Sequence, residues 1–244
     1  MKQQRIAGLD CVLAGGDDGR GGGDGPMVVL LHGFGAPGDD LVALADWIEA
    51  PAGTRWVFPA GPLAMPPVYG DARAWWMIDL ERLERELAGG RPADRAAEVP
   101  EGLAAARGAM LELLAALARD HGRRDQATIL GGFSQGAMLS VDAALHAPRP
   151  PRALLLLSGT MIAEADWQPR AAALAGCRVL QSHGTRDALL SFAGAETLCG
   201  FLREAGAEVA FVPFPGGHEI PPPVLDLAGD FLGEVFPSSP GGAG

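Results

Sequence analysis

Short, continuous runs of apolar residues recur along the chain and alternate with longer stretches whose apolar residues fall three or four positions apart. A continuous apolar run is typical of a strand buried on both faces of a parallel sheet, whereas the wider spacing predicts an amphipathic helix. The predicted strands are residues 8–16, 27–35, 55–59, 127–132, 152–159, 177–184 and 207–214. The predicted helices are residues 39–50, 82–90, 101–120, 135–146, 192–205 and 221–235.

This alternation of strands and helices predicts the α/β class, with a mainly parallel central sheet and helices on both faces. Because no repeat or change of composition divides the chain, we expect a single domain over residues 1–236 and a disordered tail over residues 237–244. The glycine-rich stretch 15–26 is predicted to be a flexible connection, since its spacing does not fit a dinucleotide-binding loop. Residues 60–79, rich in proline, glycine and aromatic residues, are predicted to form an ordered loop, and helix 82–90 to face solvent.

Composition narrows the classes of partner. Hydrophobic residues make up 48% of the 244 residues, enough for a full core, and the formal net charge is −11. No basic run exceeds Arg123–Arg124, so neither nucleic acid nor an anionic membrane is an expected partner. Cys11, Cys177 and Cys199 are scattered, which favours reduced thiols in a cytoplasm. No apolar run reaches the length of a membrane span, so we expect a cytoplasmic protein without a stable membrane anchor.

Three residues of chemical interest follow three different predicted strands. Ser134 lies in the motif G-F-S-Q-G, Asp187 in H-G-T-R-D, and His218 in P-G-G-H-E-I. Functional groups gather at the carboxyl ends of the strands in such sheets. The order Ser, Asp, His along the chain is that of the α/β-hydrolase architecture. We therefore interpret Ser134 as a nucleophile, His218 as its general base and Asp187 as the group that orients the imidazole.

Attack on a carbonyl carbon also requires donors for the oxyanion that forms. The backbone N–H groups of Phe34, in the tight H-G-F-G turn, and of Gln135, at the start of a helix, are the predicted donors.

Other interpretations of the same residues stay open at this point. Ser134 and Asp187 could each cap a helix, and His218 could be a structural loop histidine. A metal site built from His32, His183, Asp187 and His218 lacks the ligand spacing of known zinc motifs, so we predict neither a metal nor a cofactor. His32 and His183 are instead expected to brace the turns before the glycines that follow them.

The segments L-L-H-G-F-G-A-P-G-D-D-L, G-G-F-S-Q-G-A-M, H-G-T-R-D and P-G-G-H-E-I-P together resemble the phospholipase/carboxylesterase family of α/β-hydrolases, which includes acyl-protein thioesterases and small bacterial carboxylesterases. The similarity spans residues 27–235. It implies the same triad and the same oxyanion donors. The segment R-A-W-W at residues 73–76 is similar to the family's Arg-x-Trp-aromatic segment beside the acyl pocket. The chain departs from the family at Ala188, where proline is frequent, and in its longer glycine-rich N-terminal region.

The expected function is that of a serine hydrolase that cleaves carboxylic esters of short to medium acyl chains through an acyl-enzyme, with thioesters and lysophospholipids as further candidate substrates. Trp75, Trp76 and Leu189 are the predicted substrate-contacting residues. The partner is a small-molecule acyl ester or thioester, and no pattern indicates an oligomer. Two alternatives remain: a non-catalytic binder of a small hydrophobic ligand, and a lactone or peptide-bond hydrolase that uses the same triad.

Overall fold

Nine strands form one central sheet in a computed structural model of the protein, which describes residues 1–89, 92–120 and 128–237. The strands of this sheet are β1 (Lys2–Ile6), β2 (Leu9–Gly16), β3 (Arg20–Gly22), β4 (Met27–Leu31), β5 (Arg55–Pro59), β8 (Thr128–Phe133), β9 (Ala153–Leu157), β10 (Arg178–Gly184) and β11 (Glu208–Phe214). Two short strands, β6 (Leu63–Ala64) and β7 (Arg73–Ala74), pair separately as a hairpin within the predicted loop 60–79.

The helices follow the strands as the alternating pattern predicts. They are α1 (Leu44–Trp47), α2 (Leu80–Ala88), α3 (Leu103–Asp120), α4 (Gln135–His146), α5 (Glu164–Trp167), α6 (Phe192–Glu204) and α7 (Pro222–Val235). Turns of 3-10 helix cover Pro67–Tyr69 and Gln168–Leu174.

The order of strands across the sheet is β1, β2, β5, β4, β8, β9, β10 and β11, with β3 beside β2. The six strands from β5 to β11 in this order run parallel, and β1 and β2 add antiparallel strands at one edge. This arrangement confirms the mainly parallel sheet predicted from the apolar runs. The carboxyl ends of β4, β8, β10 and β11 therefore lie along one edge of the sheet.

Both faces of the central strands β4, β5 and β9 are buried, which explains their continuous apolar runs. In β4, Val28 and Leu30 pack on one face with α1 and α7, whereas Val29 and Leu31 pack on the other with α3, α4 and α6. Because successive side chains of a strand point to opposite faces, a strand covered on both faces favours apolar residues at consecutive positions.

The structure differs from the predicted elements at several points. The helix predicted over residues 39–50 is reduced to α1, because the residues before it form turns bonded from i to i+3; the apolar spacing still buries Leu41, Leu44 and Ile48. The connection 15–26 contains β3, and β1 and α5 were not predicted. Residues 90 and 127, at the ends of a predicted helix and strand, and residues 238–244 of the predicted tail lie outside the described residues.

Candidate active site

Ser134 lies at the sharp turn where β8 passes into α4. Its backbone has φ 55° and ψ −115°, a conformation that costs free energy for a residue with a side chain. Its N–H donates to the carbonyl of Leu157 at 2.8 Å, which fixes the turn to the neighbouring strand β9. The Ser134 hydroxyl makes no capping hydrogen bond to α4, all of whose residues the structure describes. The interpretation of Ser134 as an ordinary helix cap is therefore wrong.

Two glycines let the backbone close this turn against β4. A Cβ atom on Gly132 would lie 2.4 Å from the carbonyl oxygen of Leu31, and one on Gly136 would lie 2.1 Å from the same oxygen. Real carbon and oxygen atoms do not approach so closely, and the oxygen belongs to a central strand that cannot move alone. The glycines on either side of Ser134 are thus required by the packing of the turn.

We expect the substitution Gly136→Ala to lower the free energy of unfolding by about 2–3 kcal/mol, because the added methyl group overpacks the backbone of β4. In thermal unfolding this corresponds to a fall in Tm of about 5–10 °C. Gly200→Ala is the matched control, since Gly200 lies within α6 and a methyl group added there would meet nothing within 4 Å. That variant should keep or raise Tm, because alanine is the better helix former. Equal Tm values for the two variants would contradict this account of the turn.

Asp187 and His218 meet at the ends of β10 and β11. The Nδ1–H of His218 donates to Oδ2 of Asp187 at 2.6 Å. The other oxygen, Oδ1, accepts the backbone N–H groups of Leu189 and Leu190 at 2.8 and 2.9 Å. The following helix α6 is capped instead by Ser191, whose Oγ accepts the N–H of Gly194. The aspartate thus orders its own turn and binds the imidazole, rather than capping α6.

The carboxylate of Asp187 is held in its ionised form. Burial alone would raise the pKa of this side chain. The hydrogen bond and charge of His218, together with the N–H groups of Leu190 and Leu189, outweigh burial and lower the pKa below its ordinary value. At neutral pH the imidazole of His218 therefore faces a negative charge.

His183, in β10, supports the turn that Asp187 orders. The side chain is fully buried, its Nε2–H donates to the carbonyl of Leu190 at 3.0 Å, and the same nitrogen lies 3.3 Å from Oδ2 of Asp187. Burial lowers the pKa of His183, so the ring is neutral near pH 7. The prediction that it braces the turn at Gly184 was wrong in position, because His183 braces residues 187–190.

The H-G-F-G turn after β4 is held by His32. Its Nδ1–H donates to the carbonyl of Gly33 at 2.7 Å, and its Nε2 accepts the N–H of Gly61 at 2.8 Å. Burial lowers the pKa of His32, which suits an imidazole that must remain neutral to accept at one nitrogen. This bracing role was predicted, and it positions Phe34 at the site.

Gln135 has a second role that the sequence did not reveal. Its side chain is buried and clamps the backbone of two tryptophans: Oε1 accepts the N–H of Trp75, and Nε2 donates to the carbonyl of Trp76, both at 2.9 Å. The indole of Trp75 in turn donates to the carbonyl of His32 at 3.0 Å. The nucleophile turn, the tryptophan segment and the H-G-F-G turn are thereby connected through hydrogen bonds.

A cavity of about 480 Å³ opens beside Ser134, within the range of small-molecule sites. Ser134, Gln135, Phe34 and His218 all line it, and the ring of Phe133 lies 4.7 Å from that of His218 between centroids. The apolar wall consists of Phe133, Trp76, Met77, Ile78, Leu83, Val99, Pro100, Met138, Ile162, Leu189 and Leu190. The cavity thus places an apolar surface directly beside a serine and a histidine.

Of the three predicted substrate-contacting residues, Trp76 and Leu189 line this cavity, whereas Trp75 does not. Trp75 is 1% exposed and belongs to the core, where its indole supports the H-G-F-G turn. The prediction for Trp75 is therefore corrected: it supports the site from behind the cavity wall.

The outer wall of the cavity comes from a segment that was predicted to face solvent. Arg82 and Leu83 of α2 line the cavity, as do Arg95, Val99 and Pro100 of the stretch before α3. We call the described residues 78–89 and 92–101 the cap. The alternating charges of α2 are typical of an exposed helix. The few apolar residues between them did not indicate that the helix covers a cavity.

A mainly parallel sheet with a serine at a strained strand–helix turn, followed in the chain by an aspartate and a histidine at later strand ends, defines a hydrolase of the α/β class. Within that class, the sequence model of the phospholipase/carboxylesterase family matches residues 23–235. The chain belongs to this family and is a carboxylic ester hydrolase.

Similar proteins carry names that agree with this family. Acyl-protein thioesterase 1 of Eremothecium gossypii is 27% identical over 232 residues, covering 84% of this chain and 85% of the relative. Carboxylesterase SOBER1 of Arabidopsis thaliana is 25% identical over 207 residues, covering 80% of this chain and 83% of the relative. The crystal structure of esterase PE8 superposes with a TM-score of 0.77 at 29% identity, covering 93% of this chain and 99% of that one.

Within the described part of the chain, no helix has both the length and the apolar character that a bilayer crossing needs.

Proposed function

We propose that the protein hydrolyses carboxylic esters through a Ser134–His218–Asp187 triad and an acyl-enzyme on Ser134. One observation carries the proposal: the serine at the strained turn and a histidine bonded to an ionised aspartate at 2.6 Å line one apolar cavity. A serine hydroxyl is a weak nucleophile, so it needs a base to accept its proton. The hydrogen bond at Nδ1 leaves Nε2 of His218 as the basic nitrogen.

The reaction proceeds in two halves. As Ser134 Oγ attacks the carbonyl carbon, its proton passes to Nε2 of His218, and the imidazolium is stabilised by Asp187. The histidine then protonates the departing alcohol, which leaves an acyl-serine ester. In the second half His218 takes a proton from water, the hydroxide attacks the acyl group, and the proton returns to Oγ as the acid departs.

The oxyanion of each tetrahedral intermediate requires preorganised donors. We assign the backbone N–H groups of Phe34 and Gln135 to this role, because both residues line the cavity and Gln135 begins α4, where the helix dipole is positive. The bonds of His32 and of the Gln135 side chain keep the two turns in place. Loss of one such donor typically costs about 10²–10³ in rate.

The apolar wall supports an acyl group of short to medium length as the bound portion of the substrate. The relatives named as carboxylesterase and acyl-protein thioesterase make oxygen esters and thioesters the two bond types to test first. The test is a panel of p-nitrophenyl esters from acetyl to dodecanoyl, with the matching thioesters. Hydrolysis with an optimum within the series supports the proposal; no turnover of any member, with a folded protein, would overturn it.

We expect Leu189→Ala to shift the optimum toward longer acyl chains, raising kcat/KM for long relative to short esters by about three- to tenfold. The side chain lines the cavity, whereas the N–H that binds Asp187 belongs to the backbone and is retained. Leu227→Ala, on the outer surface of α7, removes the same atoms away from the cavity and should leave the chain-length profile unchanged. Identical profiles for both variants would remove Leu189 from the acyl-binding wall.

A further inference from the structure

The cap carries most of the charged side chains that line the cavity. They are Asp79, Arg82, Arg95, Glu98 and Glu101, and Asp40 adds a further carboxylate from the opposite side. Because the lining contains both basic and acidic side chains, the electrostatic field inside the cavity depends on which of these charges are neutralised by ion pairs.

Both arginines belong to a closed ring of ion pairs. Arg82 pairs with Glu86 at 2.8 Å and with Glu98, and Arg95 pairs with Glu98 at 3.3 Å and with Glu86. Each guanidinium therefore contacts two carboxylates, and each carboxylate contacts two guanidiniums. The ring has no net charge, and both guanidiniums already contact carboxylates, so an anionic ligand competes with a glutamate for either arginine.

The three other carboxylates of the cavity wall are not neutralised in this way. Asp40, Asp79 and Glu101 are exposed, and none of them forms an ion pair with a cation in residues 1–89, 92–120 or 128–237. The Asp79 side chain accepts the backbone N–H of Arg82, at 2.9 Å, which leaves its charge in place. Among the described residues that line the cavity, the charge left is thus negative, on a chain whose formal net charge is −11.

A cleft lined by one sign of charge concentrates ligands of the opposite sign and repels those of its own sign. We propose that the cavity selects substrates by charge: it takes acyl esters or thioesters whose leaving group is neutral or cationic, and it discriminates against those whose leaving group bears a phosphate, sulfonate or carboxylate. Asp40, Asp79 and Glu101 are the specificity-determining residues. This inference rests on the proposed function, because it concerns the substrates of the same cavity.

The test uses three aryl butyrates that differ only in the para substituent of the phenol: trimethylammonio, tert-butyl and sulfonate. The first two substituents have the same shape, and the third has a similar size. Each enzymatic kcat/KM is divided by the hydroxide-catalysed rate of the same ester, which removes differences in intrinsic reactivity. The assay is run at about 10 mM and at about 1 M NaCl, where the Debye length is about 30 Å and about 3 Å.

At low salt we expect the normalised kcat/KM of the cationic ester to exceed that of the anionic ester by at least about tenfold, with the neutral ester between them. At high salt the ratio of the cationic to the anionic kcat/KM should fall to about three or less, because salt screens the electrostatic field. In the double variant Asp40→Asn/Glu101→Gln the low-salt ratio should fall by at least about threefold, and the part that remains is due to Asp79, which keeps its charge.

The control is Asp226→Asn/Glu204→Gln, which changes the net charge equally at two exposed positions outside the cavity wall. It should keep the low-salt ratio of the unmodified enzyme. If both double variants lower the ratio equally, the discrimination comes from overall charge and the assignment to Asp40 and Glu101 is wrong.

Two further outcomes separate this inference from the proposed function. Turnover of the neutral ester with no dependence on substrate charge or salt would overturn the charge selection and leave the proposed esterase intact. A preference for the anionic ester would also overturn it, and would indicate that a glutamate of the ring yields its arginine to the substrate. If neither the neutral aryl ester nor the p-nitrophenyl esters were hydrolysed, the proposed function itself would fall.

Discussion

Ser134→Ala is expected to lower kcat for ester hydrolysis by roughly 10⁴- to 10⁶-fold, because it removes the atom that forms the acyl-enzyme. The oxyanion donors and the apolar wall remain, so a small residual rate above that in water is expected. The substitution should leave Tm nearly unchanged, since the Ser134 hydroxyl does not cap α4 and alanine meets the same backbone strain. The measurement is steady-state kinetics on p-nitrophenyl butyrate, with Tm recorded for the same preparations.

Ser140→Ala provides the matched control for this result. Ser140 lies on the same helix α4, is buried, and donates its hydroxyl hydrogen to the carbonyl of Gly136. Losing that local bond has little effect on a helix, so kcat should stay within about threefold of the unmodified enzyme. If Ser134→Ala hydrolysed the ester as fast as the unmodified enzyme does, Ser134 would not be the nucleophile.

Asp187→Asn is expected to lower kcat by about 10⁴-fold with little change in KM, the size of effect seen when a triad aspartate is made neutral. The backbone N–H groups of Leu189 and Leu190 donate to Oδ1, so they hold the amide oxygen of an asparagine at that position. The amide NH₂ then faces His218 and donates to Nδ1. The imidazole must carry its proton on Nε2, where it cannot accept the proton of Ser134.

The pH dependence of this variant distinguishes two causes of its lost activity: the wrong tautomer of His218 and a general loss of structure. Because the folded pKa of Asp187 is below its ordinary value, the carboxylate contributes stability that is present above the unfolded pKa and is lost as pH falls through the folded one. Near neutral pH the stability of the unmodified enzyme therefore does not depend on the titration of Asp187. In Asp187→Asn the activity should recover partly at alkaline pH, because hydroxide can then remove the Ser134 proton that the imidazole cannot accept.

Asp226→Asn, an exposed change on α7, should behave as the unmodified enzyme. A loss of kcat below about tenfold in Asp187→Asn would contradict the role assigned to the carboxylate.

Parts of the fold with a strong local signal were predicted well. The bounds of β5 and α4 agree with the sequence pattern, because a short apolar run between turn residues and an apolar helix after a glycine turn leave few alternatives. Helix 39–50 was overestimated because its apolar spacing suits turns bonded from i to i+3 as well as an α-helix. Strand β3 was missed because its three residues include two glycines and depend on pairing with β2.

Some features of the candidate site could likewise be predicted from the sequence, and others depend on tertiary contacts. The approach of Asp187 to His218 agrees with the predicted parallel sheet, in which the carboxyl ends of the strands lie along one edge. The difference between Trp75, which lies in the core, and Trp76, which lines the cavity, does not follow from the sequence, because tertiary contacts decide which of two adjacent loop residues faces the cavity. The bonds of Gln135 that do so join residues about 60 positions apart, beyond any local pattern. The cap was hidden for a similar reason, since ion pairs between residues 9 and 16 positions apart join α2 to the stretch before α3.

The most direct test of the account is active-site labelling with a fluorophosphonate, followed by mass spectrometry of the peptides. We predict one phosphonyl group per chain, attached to Ser134, with activity lost in proportion to labelling and no labelling in Ser134→Ala. Complete hydrolytic activity in a protein whose Ser134 remains unmodified, or labelling at another residue that abolishes activity, would contradict the assignment of Ser134 as the nucleophile.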